Sequence, residues 1–267
     1  MRQPSLFLPH GGGPCFFLNE NGPVPETWRP MGDFLAGVVA GLPERPRAIL
    51  VVSGHWLEPR FTVHSGEQPQ LLYDYGGFPP HTYRLRWDAP GAPAVARRAA
   101  ALLGAAGFET GEEMRRGWDH GVFIPLKVAV PDADIPTAQL SLRADLDPAA
   151  HIAAGRALAP LRDEGVLIVG SGMSFHNMRL RDGSAQAAAD SFDAGLTDAV
   201  TDPDPLRREA RLAAWETLPC ARVAHPPREE EHLLPLLVAA GAGGEDKGRR
   251  LFQDRVIGWT VSGYGFG

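Results

Sequence analysis

The chain has 267 residues, 44% hydrophobic and 22% charged, the balance of an ordinary globular protein long enough to bury most of its apolar surface without cross-links. Its 26 basic and 32 acidic side chains leave a formal charge of −6, which offers no basic face to nucleic acid or to an anionic membrane surface. Two cysteines, Cys15 and Cys220, give neither a disulfide framework nor a zinc-finger spacing, and with no leader pattern at the N-terminus the expected compartment is a reducing cytoplasm.

A short apolar run at 5–9 stops at the triple glycine Gly11 to Gly13, where no regular element persists and another group can approach the backbone closely. The spacing of Met31, Phe34, Leu35, Val38 and Val39 predicts a helix over 29–42, with Pro30 in its first turn. Residues 47–52 form an unbroken run like that of a strand covered on both faces, and it ends at Ser53-Gly54-His55-Trp56. Further along, a short strand is expected at 61–64 and a Gly/Pro-rich aromatic loop at 73–80. An Ala-rich helix follows at 93–106, then a helix at 120–130 capped by Asp119 and a strand at 135–142. A helix capped by Asp147 should reach about residue 164. The apolar run at 165–169 is a second buried strand and leads into 170–176. Helices are predicted over 184–200, 205–218 and 229–240, with a closing strand at 255–264. Strands alternating with helices argue an α/β fold with a central mixed sheet flanked by helices. No Ser/Gly linker or charge block divides the chain, so residues 1–267 read as a single domain.

Of nine histidines, three come soon after predicted strands: His10, His55 and His176. Ligands of open α/β sheets bind at the carboxyl ends of strands, so these three can converge, and His120 and His232 stand at or near predicted helix starts. Converging neutral imidazoles suit zinc, iron, copper or nickel better than magnesium or calcium. The sequence has no HExxH, P-loop, GxSxG or dinucleotide fingerprint. Elsewhere, His64 reads as structural, His151 as part of a solvated helix face, and His225 as near the same site; Cys15 and Cys220 read as buried apolar residues.

Six segments occur in order: LPHGGGP (8–14), SGHW (53–56), YDYGGFP (73–79), WDHGV (118–122), GSGMSFHN (170–177) and EHLLPL (231–236). Together they resemble the class III extradiol ring-cleavage dioxygenases of the LigB superfamily, in the DOPA-dioxygenase branch, over residues 5–264. The resemblance implies a single α/β catalytic domain and one divalent metal, Fe(II) for activity or Zn(II) as the ion found. By position, it makes His10, His55 and His232 the metal ligands. It sets His176 against the metal, as a fourth ligand or as an acid/base, and makes His120 the other catalytic histidine. Tyr73, Tyr75, Phe78 and His81 would border the ring pocket. The implied partners are a small aromatic diol and O2, with no nucleic acid or membrane, in a monomer or small homo-oligomer. Some relatives use a glutamate as third ligand; here Glu231 precedes His232, and His232 is the expected ligand with Glu231 as the substitute. Glu229 to Glu231 otherwise read as an acidic first helical turn.

The chemistry accounts for these residue types. A catechol loses a proton on binding, which a neutral histidine such as His176 can accept, and a proton must be returned when the oxygen–oxygen bond breaks, from His120 or His176. Asp119 is a candidate to orient His120. Arg84, Arg86 and Arg179 are candidates to pair with a substrate carboxylate, against the plainer reading of each as a surface ion pair. The histidine set also permits a zinc hydrolase with a metal-bound water, or a non-catalytic metal-binding interaction protein of the same fold.

Overall fold

The two uninterrupted apolar runs of the sequence lie side by side at the centre of one mixed sheet. The computed structural model describes residues 1–267. Its strands are β1 (Ser5–Pro9), β2 (Ala48–Glu58), β3 (Phe61–His64), β4 (Thr110–Glu113), β5 (Thr137–Arg143), β6 (Val166–Gly172), β7 (Gly248–Val256) and β8 (Trp259–Phe266). They pair in the order β4-β3-β5-β2-β6-β1-β8-β7. The four strands β5, β2, β6 and β1 run parallel, and β8 and β7 close one edge antiparallel. At the other edge β3 lies antiparallel to β5, with β4 parallel to β3. Central parallel strands have both faces covered, and every residue of β1 and β6 is buried.

The helices are α1 (Arg29–Ala40), α2 (Pro93–Ala105), α3 (His120–Ala129), α4 (Pro148–Leu158), α5 (Pro160–Asp163), α6 (Gln186–Val200), α7 (Pro205–Ala213), α8 (Ala221–Ala224) and α9 (Leu234–Gly243). Helix α9 is apolar all round and wholly buried, as a helix enclosed by other elements must be. It packs on α4, β6 and β1. Its contact with α4 is close because Gly155 and Gly241 carry no side chain: a Cβ on either would stand 2.1 Å from a backbone oxygen of the facing helix. No helix is long and apolar enough to cross a membrane.

Four expectations need correction. The closing strand is a hairpin, β7 and β8, turning at Ile257 and Gly258, both with positive φ. The helix expected over 205–218 ends at Ala213 and gives way to a short 3-10 turn. Helix α9 begins at Leu234 rather than at 229, so Glu229 to Glu231 lie in the preceding turn and are not a first helical turn. Cys15 is buried, but Cys220 is exposed at a left-handed backbone position. Strand β4 was not expected at all.

His151 is also corrected. It is fully buried rather than solvated, and it ties α4 to the end of β5. Its Nδ1–H donates to the Asp147 carbonyl at 2.7 Å, and its Nε2 accepts the Arg143 backbone N–H at 3.1 Å. That pattern saturates a neutral ring; a protonated one would set N–H against N–H. Burial accordingly pushes its pKa down to about 4. Unfolded, the ring titrates near pH 6.5. Because the folded value lies below the unfolded one, the native state loses stability as pH falls from about 6.5 to about 4, by up to about 3 kcal/mol. Replacing His151 by Gln should cost about 1–3 kcal/mol at neutral pH through the disturbed hydrogen bonds. The gap to the wild type should then narrow as pH falls through this window in denaturant titrations. A gap independent of pH would exclude the titration of His151.

Candidate metal centre

Strands β2, β6 and β1 are neighbours, so their carboxyl ends open at one place. His10 follows the end of β1, His55 lies in the last third of β2, and His176 follows β6 by four residues. His120 is the first residue of α3, and His232 lies two residues before α9. All five imidazoles meet. The ring centroids of His10, His55 and His232 are 4.9, 5.3 and 4.7 Å apart pairwise. His120 lies 3.9 Å from His55 and 5.3 Å from His10, and His176 stacks on His232 at 3.5 Å.

Close backbone approach makes this gathering possible. A Cβ on Gly172 would stand 2.1 Å from the His232 carbonyl oxygen, and one on Gly170 2.2 Å from that of Pro235. The gap is instead filled by a hydrogen bond, Met173 N–H to His232 O at 3.0 Å. Gly11, with φ +79°, turns the chain after His10 where any side chain would strike Cys15.

Carboxylates fix the rings from behind. Asp74, in the loop between β3 and α2, accepts both the backbone N–H and the ring Nδ1–H of His120 through Oδ1, each at 2.9 Å. Its other oxygen lies 3.8 Å from His55 Nδ1. Burial raises the Asp74 pKa, but the His120 hydrogen bonds and charges outweigh it and hold the group below the usual carboxylate range. Glu231 Oε1 stands 3.1 Å from His232 Nδ1, an acceptor for that N–H. Asp119 does not orient His120, nor does its side chain cap α3. It is fully buried, and it accepts from Ser53 at 2.7 Å, Gln139 at 2.5 Å and Arg116 at 3.1 Å. Arg116 in turn donates to the His55 carbonyl, so Asp119 braces β2 and β5 beneath the site.

With Nδ1 of His55 and His232 directed to carboxylates, their Nε2 atoms face each other at 3.2 Å. Two lone pairs at that separation repel unless a proton or a metal ion lies between them. Ligand nitrogens about 2.1 Å from one ion stand about 3.0–3.4 Å apart at octahedral or tetrahedral angles. His10 is buried with neither ring nitrogen hydrogen-bonded, another orphan that an ion would satisfy. Burial first, then neighbouring imidazoles, lower His10 and His232 well below the ordinary histidine value and bring His55 to about 4. Burial likewise brings His176 to about 4. These four rings are therefore neutral, as metal ligation requires. Nitrogens of His10, His55 and His120 form one group able to hold an ion, and those of His176 and His232 with a Glu231 oxygen form another. The residues fit a metal.

The rings floor a cavity of about 570 Å³. Tyr75 and Phe78 line it, as do Trp28, Met173 and Trp259. Tyr73 and His81 do not: the Tyr73 hydroxyl donates to the Leu85 carbonyl, and His81 Nε2 lies 2.8 Å from the Phe17 carbonyl. His64 packs on Trp118 away from the cavity, and His225 holds the Ser174 carbonyl at 2.9 Å from behind. Arg84, Arg86 and Arg179 are paired with Glu20, Asp88 and Glu229 and do not line the cavity; Arg181 does. Sequence reading missed Asp74 and Arg181. The aspartate lies within a segment already noted for its aromatics, but its partner is 46 residues away.

Residues 4–266 match the family model described as the catalytic LigB subunit of aromatic ring-opening dioxygenase. The chain is 38% identical to dioxygenase tasH of Hapsidospora irregularis, over 99% of this chain and 85% of that protein. It is 36% identical to a 4,5-DOPA dioxygenase extradiol of Beta vulgaris, with 97% and 93% covered. The crystal structure of an uncharacterised Escherichia coli K12 protein superposes with a TM-score of 0.79 at 31% identity, covering all of both chains.

Replacing Asp74 by Asn removes the charge behind two imidazoles while keeping a similar shape. Metal affinity should fall about tenfold to a hundredfold, read by competition with a chromophoric chelator. Unchanged affinity would mean that Asp74 does not support the centre.

Proposed function

The chain belongs to the LigB family of aromatic ring-opening dioxygenases, and from that premise we propose how its residues divide the work on a catechol-type substrate. It is an extradiol ring-opening dioxygenase with a metal cofactor, acting on an aromatic substrate and O2. His10, His55 and His232 hold the metal, and Fe(II) is the active ion. The 3.2 Å approach of the His55 and His232 ring nitrogens carries this assignment, and His10 supplies the third, otherwise orphaned, donor. Glu231 serves as the acceptor that orients His232. Bound there, Fe(II) would bring the diol and O2 together and relay electron density between them.

The protein's own groups handle substrate and protons. Tyr75, Phe78 and Trp259 give the aromatic ring apolar walls. His176, neutral and open to the cavity, accepts the proton that the diol gives up on binding. His120 has its Nδ1 fixed by Asp74, which leaves Nε2 for the cavity. There Nε2 accepts the diol's second proton and returns it as the oxygen–oxygen bond breaks. The substrate is a catechol with a short polar tail, as the names of the DOPA-cleaving relatives suggest.

Anaerobic loading with Fe(II), followed by admission of O2 with a catechol, tests this directly. Oxygen uptake mole for mole with diol, and a yellow ring-opened product, are expected. The zinc-loaded protein should bind catechol without consuming oxygen, because zinc does not change oxidation state. His120→Gln should keep its metal but lose about a hundredfold to ten-thousandfold in kcat. Full oxygen uptake by the zinc form, or none by the iron form, would contradict the assignment.

A further inference from the structure

The cavity holds one charged side chain apart from its histidines, and it is cationic: Arg181. No aspartate or glutamate lines it; Asp74 and Glu231 stand behind imidazoles. Arg181 lies with Met178 at the exposed mouth, whereas His10, His120 and His232 are buried at the floor.

The acids near Arg181 are engaged elsewhere. Asp182 accepts the Ser184 backbone N–H at 3.0 Å and the Ser184 hydroxyl at 2.5 Å. Glu229 takes the Arg179 guanidinium through both its oxygens. The loop is held in place around Arg181. Trp259 Nε1–H donates to the Leu180 carbonyl at 2.5 Å, and the Leu180 N–H donates to the Asn177 carbonyl at 2.9 Å. Gly258, in the β7–β8 turn, lies so close that a Cβ there would stand 2.7 Å from the Gly183 nitrogen. Arg181 is thus held at the mouth of the cavity by a seated loop, with no ion-pair partner of its own.

We propose that Arg181 selects the substrate's tail, so that the cavity favours catechols bearing a carboxylate and no ammonium group. The inference rests on the assignment of the cavity as a catechol site. The diol lies at the histidine floor, and the tail extends toward the mouth. A carboxylate there meets the guanidinium, whose planar donors match it in two parallel hydrogen bonds. An ammonium meets no carboxylate, and it faces a like charge if the tail carries nothing else. A zwitterionic tail gains the first contact and leaves its ammonium without a counter-charge.

Anaerobic titration of the metal-loaded protein with four catechols tests this without turnover: dihydrocaffeate, DOPA, dopamine and methylcatechol. The first three share a ring and a tail of similar length and differ in tail charge. Dihydrocaffeate should bind most tightly and dopamine least, with a spread of about tenfold. Arg181→Gln should weaken dihydrocaffeate about fivefold, as expected of a solvent-accessible ion pair, and leave methylcatechol unchanged. Arg181→Lys should restore part of the loss. Dopamine binding as tightly as dihydrocaffeate would overturn the proposal, as would an equal loss of methylcatechol affinity in Arg181→Gln, or no binding by any catechol. If the tail order holds but the iron form takes up no oxygen with any of them, ring cleavage fails and the selection by Arg181 stands.

Discussion

The segment before α9 can reach the ends of β2 and β6 only because the backbone there is bare. A Cβ at Gly54 would lie 3.0 Å from the Glu231 carbonyl oxygen, and those at Gly170 and Gly172 would overlap backbone oxygens of 235 and 232. This contact brings His232 against His55, 177 residues earlier in the chain. The rest of the centre follows from strand order. Parallel β2, β6 and β1 end together, and α3 starts beside them, where a Cβ on Gly121 would strike the Ser53 hydroxyl.

Electrostatics gives the site its character. Imidazoles taken out of water lose their protons, so the cluster presents lone pairs rather than repelling cations. The carboxylates that could have neutralised it lie on the outer side of the rings. They fix which nitrogen carries hydrogen and leave the inward nitrogens as donors to an ion. The three neutral ligands we propose would keep the full charge of a divalent ion and so favour an anionic diolate. The cavity wall adds one further positive group, Arg181, and no negative one.

The parts of the fold written in runs of apolar residues were legible. β1, β2 and β6, the helices at 29 and 93, and the convergence of histidines at strand ends all follow from local pattern and the rule that ligands gather at carboxyl ends of parallel strands. Elements defined by partners rather than composition were not. β4 is Thr-Gly-Glu-Glu, with no apolar residue, and exists as an edge strand through its pairing with β3. β7 alternates irregularly around charged residues, so only its partner β8 carried a strand signal. His151 looked solvated because an imidazole in an Ala-rich helix gives no sign of the Arg143 amide it must satisfy. Within the candidate site, the histidines that meet could be picked out by their positions, whereas Tyr73 and His81 were misplaced, and the partners of Asp74, Asp119 and Glu231 depend on side-chain directions that spacing does not encode.

The central claim is that imidazoles from separate segments hold one ion. X-ray absorption on protein loaded with one equivalent of metal measures this most directly, comparing wild type with His10→Ala. The account predicts a shell of histidine nitrogens at about 2.0–2.1 Å, with the imidazole outer-shell pattern, that loses one ring in the variant. A first shell of oxygen alone, or a spectrum unchanged by removal of His10, would contradict it.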